Sequence, residues 1–106
     1  MKVLFDQGTP APLRSALADH EVKTAFECGW DALENGALLA VAEADGFEAF
    51  VTTDQNLRYQ QNLSQRRIAI VVLNTTNWPR IQPHAQLVLN ALDGLTPGAF
   101  VEISIP

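Results

Sequence analysis

The sequence predicts an α/β fold in which a five-stranded, mostly parallel sheet carries helices on both faces. Two observations predict this fold. Short apolar runs bounded by turn residues alternate with stretches of helical periodicity, which gives the element order βαβαβαβαβ. The chain has 106 residues, of which 47% are hydrophobic and 18% are charged, and this is enough for one buried core. We therefore expect a single domain over residues 1–106.

The pattern of the predicted strands indicates their order in the sheet. We predict strands at residues 3–5, 20–26, 49–53, 68–73 and 100–105. The first, third and fourth are apolar, the fourth throughout, whereas the second and fifth alternate polar and apolar residues. Strands covered on both faces are continuously apolar and edge strands alternate, so the expected order is 2-1-3-4-5. In that order the topological switch point, where ligands bind in such folds, lies between the first and third strands.

Helical patterns fill the connections between these strands. Leu13 and Leu17 indicate a first helix that ends near Ala18, with Thr9 as its expected N-cap. Residues 34–44 are rich in helix formers, and a short helix is expected to open at residues 54–56 and to carry Leu57, Arg58, Tyr59 and Leu63. Apolar residues between 81 and 92 predict a last helix, closed by Asp93 and Gly94.

The charge balance limits the classes of function. Asp and Glu outnumber Lys and Arg by 12 to 7, and the formal net charge is -5. Proteins that bind nucleic acid mainly through charge set clustered Lys and Arg against the phosphates, so the composition argues against that class. It leaves open a nuclease whose phosphate contacts are made through bound cations.

Cysteine content and hydropathy bear on the cellular location. The single cysteine, Cys28, has no partner for an internal disulfide, and the first residues lack the apolar stretch of a signal peptide. The longest apolar run, residues 68–73, is far shorter than the roughly 20 residues that cross a bilayer. We therefore expect a cytoplasmic protein with no membrane-spanning segment.

Two acids follow the strands that flank the predicted switch point. Asp6 ends the first strand and Asp54 ends the third, and neighbouring parallel strands about 5 Å apart would bring the two carboxylates together. Hard oxygen ligands of this kind bind Mg²⁺ or Mn²⁺, and two adjacent carboxylates repel each other without a cation. The alternative for each residue alone is structural: Asp54 caps the following helix, and Asp6 opens a turn.

Polar and aromatic residues near these acids have both functional and structural interpretations. Asn56 can orient a ligand or a water molecule and Arg58 can contact phosphate, or both can belong to a solvated helix in which Arg58 pairs with an acid. Trp30 and Trp78 are expected to pack in the core, with base stacking as the alternative.

Several short motifs resemble those of the small PIN-like family of predicted nucleases of toxin-antitoxin systems. They are Val-Leu-Phe-Asp at residues 3–6, Thr9-Pro10, Leu13-Arg14 and Val-Thr-Thr-Asp-Gln-Asn-Leu at residues 51–57. The likeness covers nearly the whole chain. It implies a compact Rossmann-like PIN-type domain, a cluster of acids that binds divalent cations, and metal-dependent cleavage of RNA phosphodiester bonds.

The resemblance also assigns roles to individual positions. Asp6 and Asp54 match acids of the family pattern, and Glu34 is a candidate third acid that binds metal and takes part in catalysis. Asn35 occupies the family's own position for that acid, where it becomes a candidate substrate-binding residue. Amides also stand at Gln7, where the family has Glu, and at Asn74, where some members have a further acid.

Three hypotheses follow. The first is a Mg²⁺- or Mn²⁺-dependent ribonuclease of toxin type, with RNA as substrate and a cognate antitoxin as partner. The second is a catalytically weakened or inactive PIN-like protein that acts as a binding or interaction module. The third is a phosphate-handling or signalling domain of flavodoxin-like topology. Within that class, the absence of a lysine after the fourth strand argues against a receiver domain. The two edge strands are candidate pairing edges for a homodimer.

Overall fold

The computed structural model describes residues 1–57 and 66–106, which form a five-stranded, all-parallel sheet. The strands are β1 (Lys2–Phe5), β2 (Glu21–Thr24), β3 (Ala49–Thr52), β4 (Ala69–Leu73) and β5 (Phe100–Ile103). Their order is β2-β1-β3-β4-β5, which confirms the order predicted from the apolar and alternating runs. Residues 58–65, including Arg58, Tyr59 and Leu63 of a predicted helix, lie outside the described residues.

The helices fall close to their predicted places but differ in type. Helix α1 is Asn35–Ala44, α2 is Trp78–Ile81 and α3 is Ala85–Asp93. The segment predicted to end near Ala18 is a 3₁₀ helix, Ala11–Leu17, and its N-cap is Pro10 rather than Thr9. The last predicted helix is divided by a 3₁₀ turn at Gln82–His84, because Pro83 has no N–H to donate to the helical ladder.

Alternating side chains of the central strands pack into two cores, one on each face of the sheet. Val3 and Phe5 of β1 face the core that also holds Leu13 of the first 3₁₀ helix. Leu4, between them, faces the opposite core with Leu38 of α1. This two-residue alternation, apolar on both faces, is why the central strands appear as uninterrupted apolar runs.

Strand β2 is shorter than the predicted span of residues 20–26, and the reason lies in the turn that follows it. Glu27 N donates to the Thr24 hydroxyl at 3.1 Å, and Thr24 N donates to the Glu27 carboxylate at 2.9 Å. This reciprocal pair ends the strand and starts a turn. The prediction that the strand extends to Phe26 is therefore wrong: Val22 is buried in the strand, whereas Phe26 lies in the turn and is 73% exposed.

Within residues 1–57 and 66–106, no helix combines the length and the apolar character needed to cross a bilayer.

Candidate functional site

The two acids at the switch point stand where the chain leaves the sheet in opposite directions. Asp6 continues the β1–β3 ladder by one residue, since its N–H donates to Val51 O at 3.1 Å. Beyond β1 the chain enters the core that holds Leu13, and beyond β3 it enters the opposite core at Leu57. The diverging connections leave an opening between the carboxyl ends of the two strands, as expected for this topology.

This opening is a cavity of about 230 Å³. Its lining includes Asp6, Asp54 and Asn35 as polar residues, with Trp30 and Leu38 among the apolar ones. The structure therefore brings together both predicted acids and the amide at the start of α1. Polar and apolar side chains together line this opening, a combination found in ligand-binding sites.

Asp6 is held by hydroxyl and backbone donors from two segments of the chain. Its Oδ1 accepts hydrogen bonds from Thr9 N at 2.9 Å and from the Thr9 hydroxyl at 2.6 Å. Its Oδ2 accepts a hydrogen bond from the hydroxyl of Thr52. Thr9 and Thr52 are 5% and 0% exposed, so these donors fix the carboxylate orientation away from competing solvent.

Asp54 is held in a similar way, with one contact to each of its oxygens. Oδ1 accepts from Asn56 N at 2.9 Å, which closes a turn of the Asx type, and Oδ2 accepts from Asn35 Nδ2 at 2.9 Å. Its own N–H donates to the Thr52 hydroxyl at 3.0 Å. Thr52 therefore connects the two acids, since its hydroxyl donates to Asp6 and accepts from the backbone of Asp54.

These contacts leave acceptor capacity on both carboxylates. A carboxylate has about four lone-pair sites, and the described residues supply three hydrogen bonds to Asp6 and two to Asp54. The Thr9 hydroxyl also lies 3.0 Å from Val51 O, so its single proton is shared between Val51 O and Asp6 Oδ1. The site can therefore accept further donors or a cation while its present hydrogen bonds persist.

Gly8 brings the loop after β1 against the end of β3. A Cβ atom at Gly8 would lie 2.4 Å from the Thr53 hydroxyl oxygen and 3.8 Å from Asp6 Oδ1. Only a residue without a side chain fits there unless Thr53 rotates. The glycine at position 8 thus allows the loop after β1 to approach Thr53 closely.

The structure separates the remaining predicted site residues. Glu34 is the exposed N-cap of α1 and is not part of the cavity lining, whereas the next residue, Asn35, is. Asn56 contributes its backbone N–H to Asp54, and its side chain is exposed. Arg58 lies outside the described residues. In the part of the chain that the structure describes, no three His, Cys, Asp or Glu residues form a group suited to hold a metal ion.

The amides at positions 7 and 74 have structural partners. The Gln7 side chain lines the cavity and donates to Asp31 O, which ties the loop after β1 to the loop before α1. Asn74, after β4, accepts from Ile105 N at 2.9 Å and donates to Ile105 O at 3.3 Å. Asn74 thus fastens the C-terminal segment, which is a structural role.

Sequence reasoning missed the two threonines that hold Asp6. A signal for each was present. Thr9 stands three residues after an Asp, the spacing of a side-chain turn, and Thr52 is a hydroxyl residue within a buried apolar strand that ends at an acid. The expectation that the tryptophans pack in the core is confirmed, since Trp30 and Trp78 are partly buried against the two cores. Trp30 also packs edge to face on Phe47, with ring centroids 5.9 Å apart.

The fold and the site define a class of protein: an all-parallel α/β domain with two aspartates at its topological switch point, connected through the hydroxyl of Thr52. A comparison of this chain with models of known families, with curated proteins and with solved structures gives no match.

Proposed function

We propose that this protein is a ribonuclease of toxin type that depends on Mg²⁺ or Mn²⁺ and hydrolyses RNA phosphodiester bonds. The observation that carries the proposal is that Asp6 and Asp54 line one cavity and are connected through the Thr52 hydroxyl. The substrate class comes from the resemblance of residues 3–14 and 51–57 to the PIN-like family.

The donor set fits a small, hard cation. Mg²⁺ is usually held by one or two carboxylates, with waters and substrate phosphates completing its shell, so the two aspartates are sufficient. The Asn35 side chain, oriented by its hydrogen bond to Asp54, lines the same cavity and carries a neutral amide oxygen that a hard cation could use. Glu34 is left out of this ligand set because it lies off the cavity lining. With only two acids, we expect weak binding that strengthens when an RNA phosphate joins the shell.

Each residue then has a definite task. When bound, the cation would polarise the phosphate and lower the pKa of an attacking water. Asp6 and Asp54 hold their oxygens at fixed positions because Thr9, Thr52, Asn56 and Asn35 restrain them. An antitoxin that covers the cavity and neutralises its acids is the partner this proposal implies.

Cleavage of single-stranded RNA with and without metal tests the proposal. Purified protein is expected to cleave with Mn²⁺ and to stop with EDTA, and Asp6→Asn and Asp54→Asn are both expected to abolish cleavage. Asp19→Asn is the matched control, since Asp19 is exposed and precedes β2 at the amino end of the sheet. Full activity in either aspartate variant, or activity that survives EDTA, contradicts the assignment.

A second candidate is a binding module without catalysis. It is favoured by the hydrogen bonds that both carboxylates already accept within residues 1–57, and by the amides at Gln7 and Asn35. This candidate predicts no cleavage by the wild type with either metal, together with a folded protein whose stability does not change when Mn²⁺ is added.

A further inference from the structure

We infer that Phe26 is a stacking platform for an unpaired base of single-stranded RNA, beside the acid pair. The inference rests on the proposed function, which supplies RNA as the ligand. Phe26 is the most exposed large apolar side chain of the described residues, at 73%, and it lines a groove of about 480 Å³. That groove also includes Asp6, Gln7 and Gly8, which line the acid cavity as well, so the two spaces adjoin.

The exposure of Phe26 is built into a well-held turn. Ala25 N donates to Phe5 O at 2.9 Å and Trp30 N donates to Ala25 O at 2.9 Å, so the residue before Phe26 is anchored to the sheet. Gly29 N donates to Phe26 O at 3.0 Å, with Gly29 at a φ of 77°. A phenyl ring left in water forgoes its hydrophobic burial, and here the hydrogen-bonded turn keeps the ring exposed.

The residue after Phe26 fixes the other side of the turn. Arg14 Nη1 and Nη2 donate to the Glu27 carboxylate at 3.1 and 2.7 Å, in the bidentate arrangement. These hydrogen bonds, together with the one from Thr24 N, lower the pKa of Glu27 to about 2. Glu27 therefore stays ionised at physiological pH, and its hydrogen bonds within the turn persist. A preorganised aromatic face loses little entropy when a base stacks on it.

The groove suits one nucleotide better than a duplex. Its volume of about 480 Å³ falls within the usual range for small ligands, and Thr24 and Thr76 are among its polar lining residues. A base inside a duplex is stacked on both faces, so the exposed ring of Phe26 would select nucleotides whose bases are unpaired. Stacking is also the contact that an acidic protein can use, because it does not depend on neutralising phosphates.

Binding measured in EDTA separates this inference from the proposed function, since it requires no metal and no cleavage. Fluorescence anisotropy with a single-stranded RNA of about ten nucleotides, and with a duplex of the same length, compares the wild type with Phe26→Ala, Phe26→Leu and Phe26→Trp. Leu87→Ala is the matched control, because Leu87 is 41% exposed and lies on α3. Thermal unfolding establishes that each variant is folded.

Stacking predicts that Phe26→Ala weakens single-strand binding about 5- to 150-fold, that Phe26→Leu also weakens it, and that Phe26→Trp retains it. Leu87→Ala and the duplex affinity are expected to be unchanged. Because few phosphates are neutralised, single-strand affinity should fall less than about tenfold between 50 and 200 mM salt.

Equal affinity of Phe26→Ala and the wild type overturns the inference, even if cleavage proves metal-dependent. Full affinity in Phe26→Leu also overturns it, since a plain apolar contact would then suffice. A dimer of the wild type that dissociates in Phe26→Ala would assign the ring to a second copy of the chain instead. Absence of cleavage with intact, Phe26-dependent binding overturns the proposed function alone.

Discussion

Polar residues follow the strands at two places on the carboxyl edge of the sheet, and their partners differ. After β1 and β3, Asp6 and Asp54 are held mainly by side chains and local N–H groups, and they line a cavity. After β4, Asn74 pairs with both the N–H and the carbonyl of Ile105. Arg80 completes this second region, donating to Ile105 O at 2.8 Å and Pro106 O at 3.0 Å.

The difference follows from topology. Chain segments diverge to opposite faces after β1 and β3, so the polar groups there face an opening. After β5 the C-terminal segment lies beside the end of β4, where Asn74 and Arg80 bind the backbone groups of Ile105. A polar residue at a strand end is therefore a functional candidate only where the connections separate. The same edge of one sheet has a candidate active site at one end and a structural fastening at the other.

Removing an acid at the switch point is expected to have the largest effect. Asp6→Asn should lower the rate of Mn²⁺-dependent RNA cleavage at least about 100-fold, equivalent to about 2.7 kcal/mol of transition-state stabilisation. In the same assay Asn74→Ala should change the rate per folded molecule by less than about twofold. Equal losses in the two variants would mean that both ends of the edge serve catalysis, which contradicts the comparison.

Removing the amide after β4 should instead lower stability. Asn74→Ala leaves the backbone groups of Ile105, a residue only 1% exposed, without two of their partners. We expect the free energy of unfolding to fall by about 1 to 3 kcal/mol, measured by urea denaturation. Asn74→Asp should be no better, because a carboxylate would face the Ile105 carbonyl. A loss below about 0.5 kcal/mol would show that the fastening is not needed.

The close approach at Gly8 gives a smaller effect that can be reversed. Gly8→Ala should destabilise the protein by about 1 kcal/mol, because the new Cβ meets the Thr53 hydroxyl and Thr53 must leave its present position. Adding Thr53→Ala removes the obstructing oxygen and should restore the free energy of unfolding. A double variant no better than Gly8→Ala would mean that the glycine acts through its backbone instead.

The turn beside the site provides the smallest effect, visible only in acid. The pKa of Glu27 is lowered to about 2 from 4.5. The contribution of its charge to folding stability is therefore complete above about pH 4.5 and disappears as the pH falls towards 2. NMR titration of the Glu27 side chain should show this midpoint. Arg14→Gln should raise it while leaving it below 4.5, since Thr24 N still donates to the carboxylate. An unchanged midpoint in Arg14→Gln would contradict the assigned cause.

Apolar patterning was sufficient to predict the strand order, because burial on both faces has a direct signature in the sequence. It also placed Asp6 and Asp54 at adjoining strand ends. It did not predict the early end of β2, since Thr24 and Glu27 form a local hydrogen-bonded pair that alternation does not reveal. For the same reason it missed Phe26 as the exposed aromatic. The role of Thr52 depends on contacts across 46 positions of the chain, which no local pattern contains.

The most direct test of the central claim is a crystal of the protein soaked in Mn²⁺ and measured for anomalous scattering. The account predicts one peak in the cavity, bonded at about 2.0 to 2.6 Å to an oxygen of Asp6 and to an oxygen of Asp54. The same experiment on Asp54→Asn should lose the peak or strongly reduce it. A peak on one aspartate only, a peak elsewhere, or an empty cavity in the wild type would contradict a shared cation.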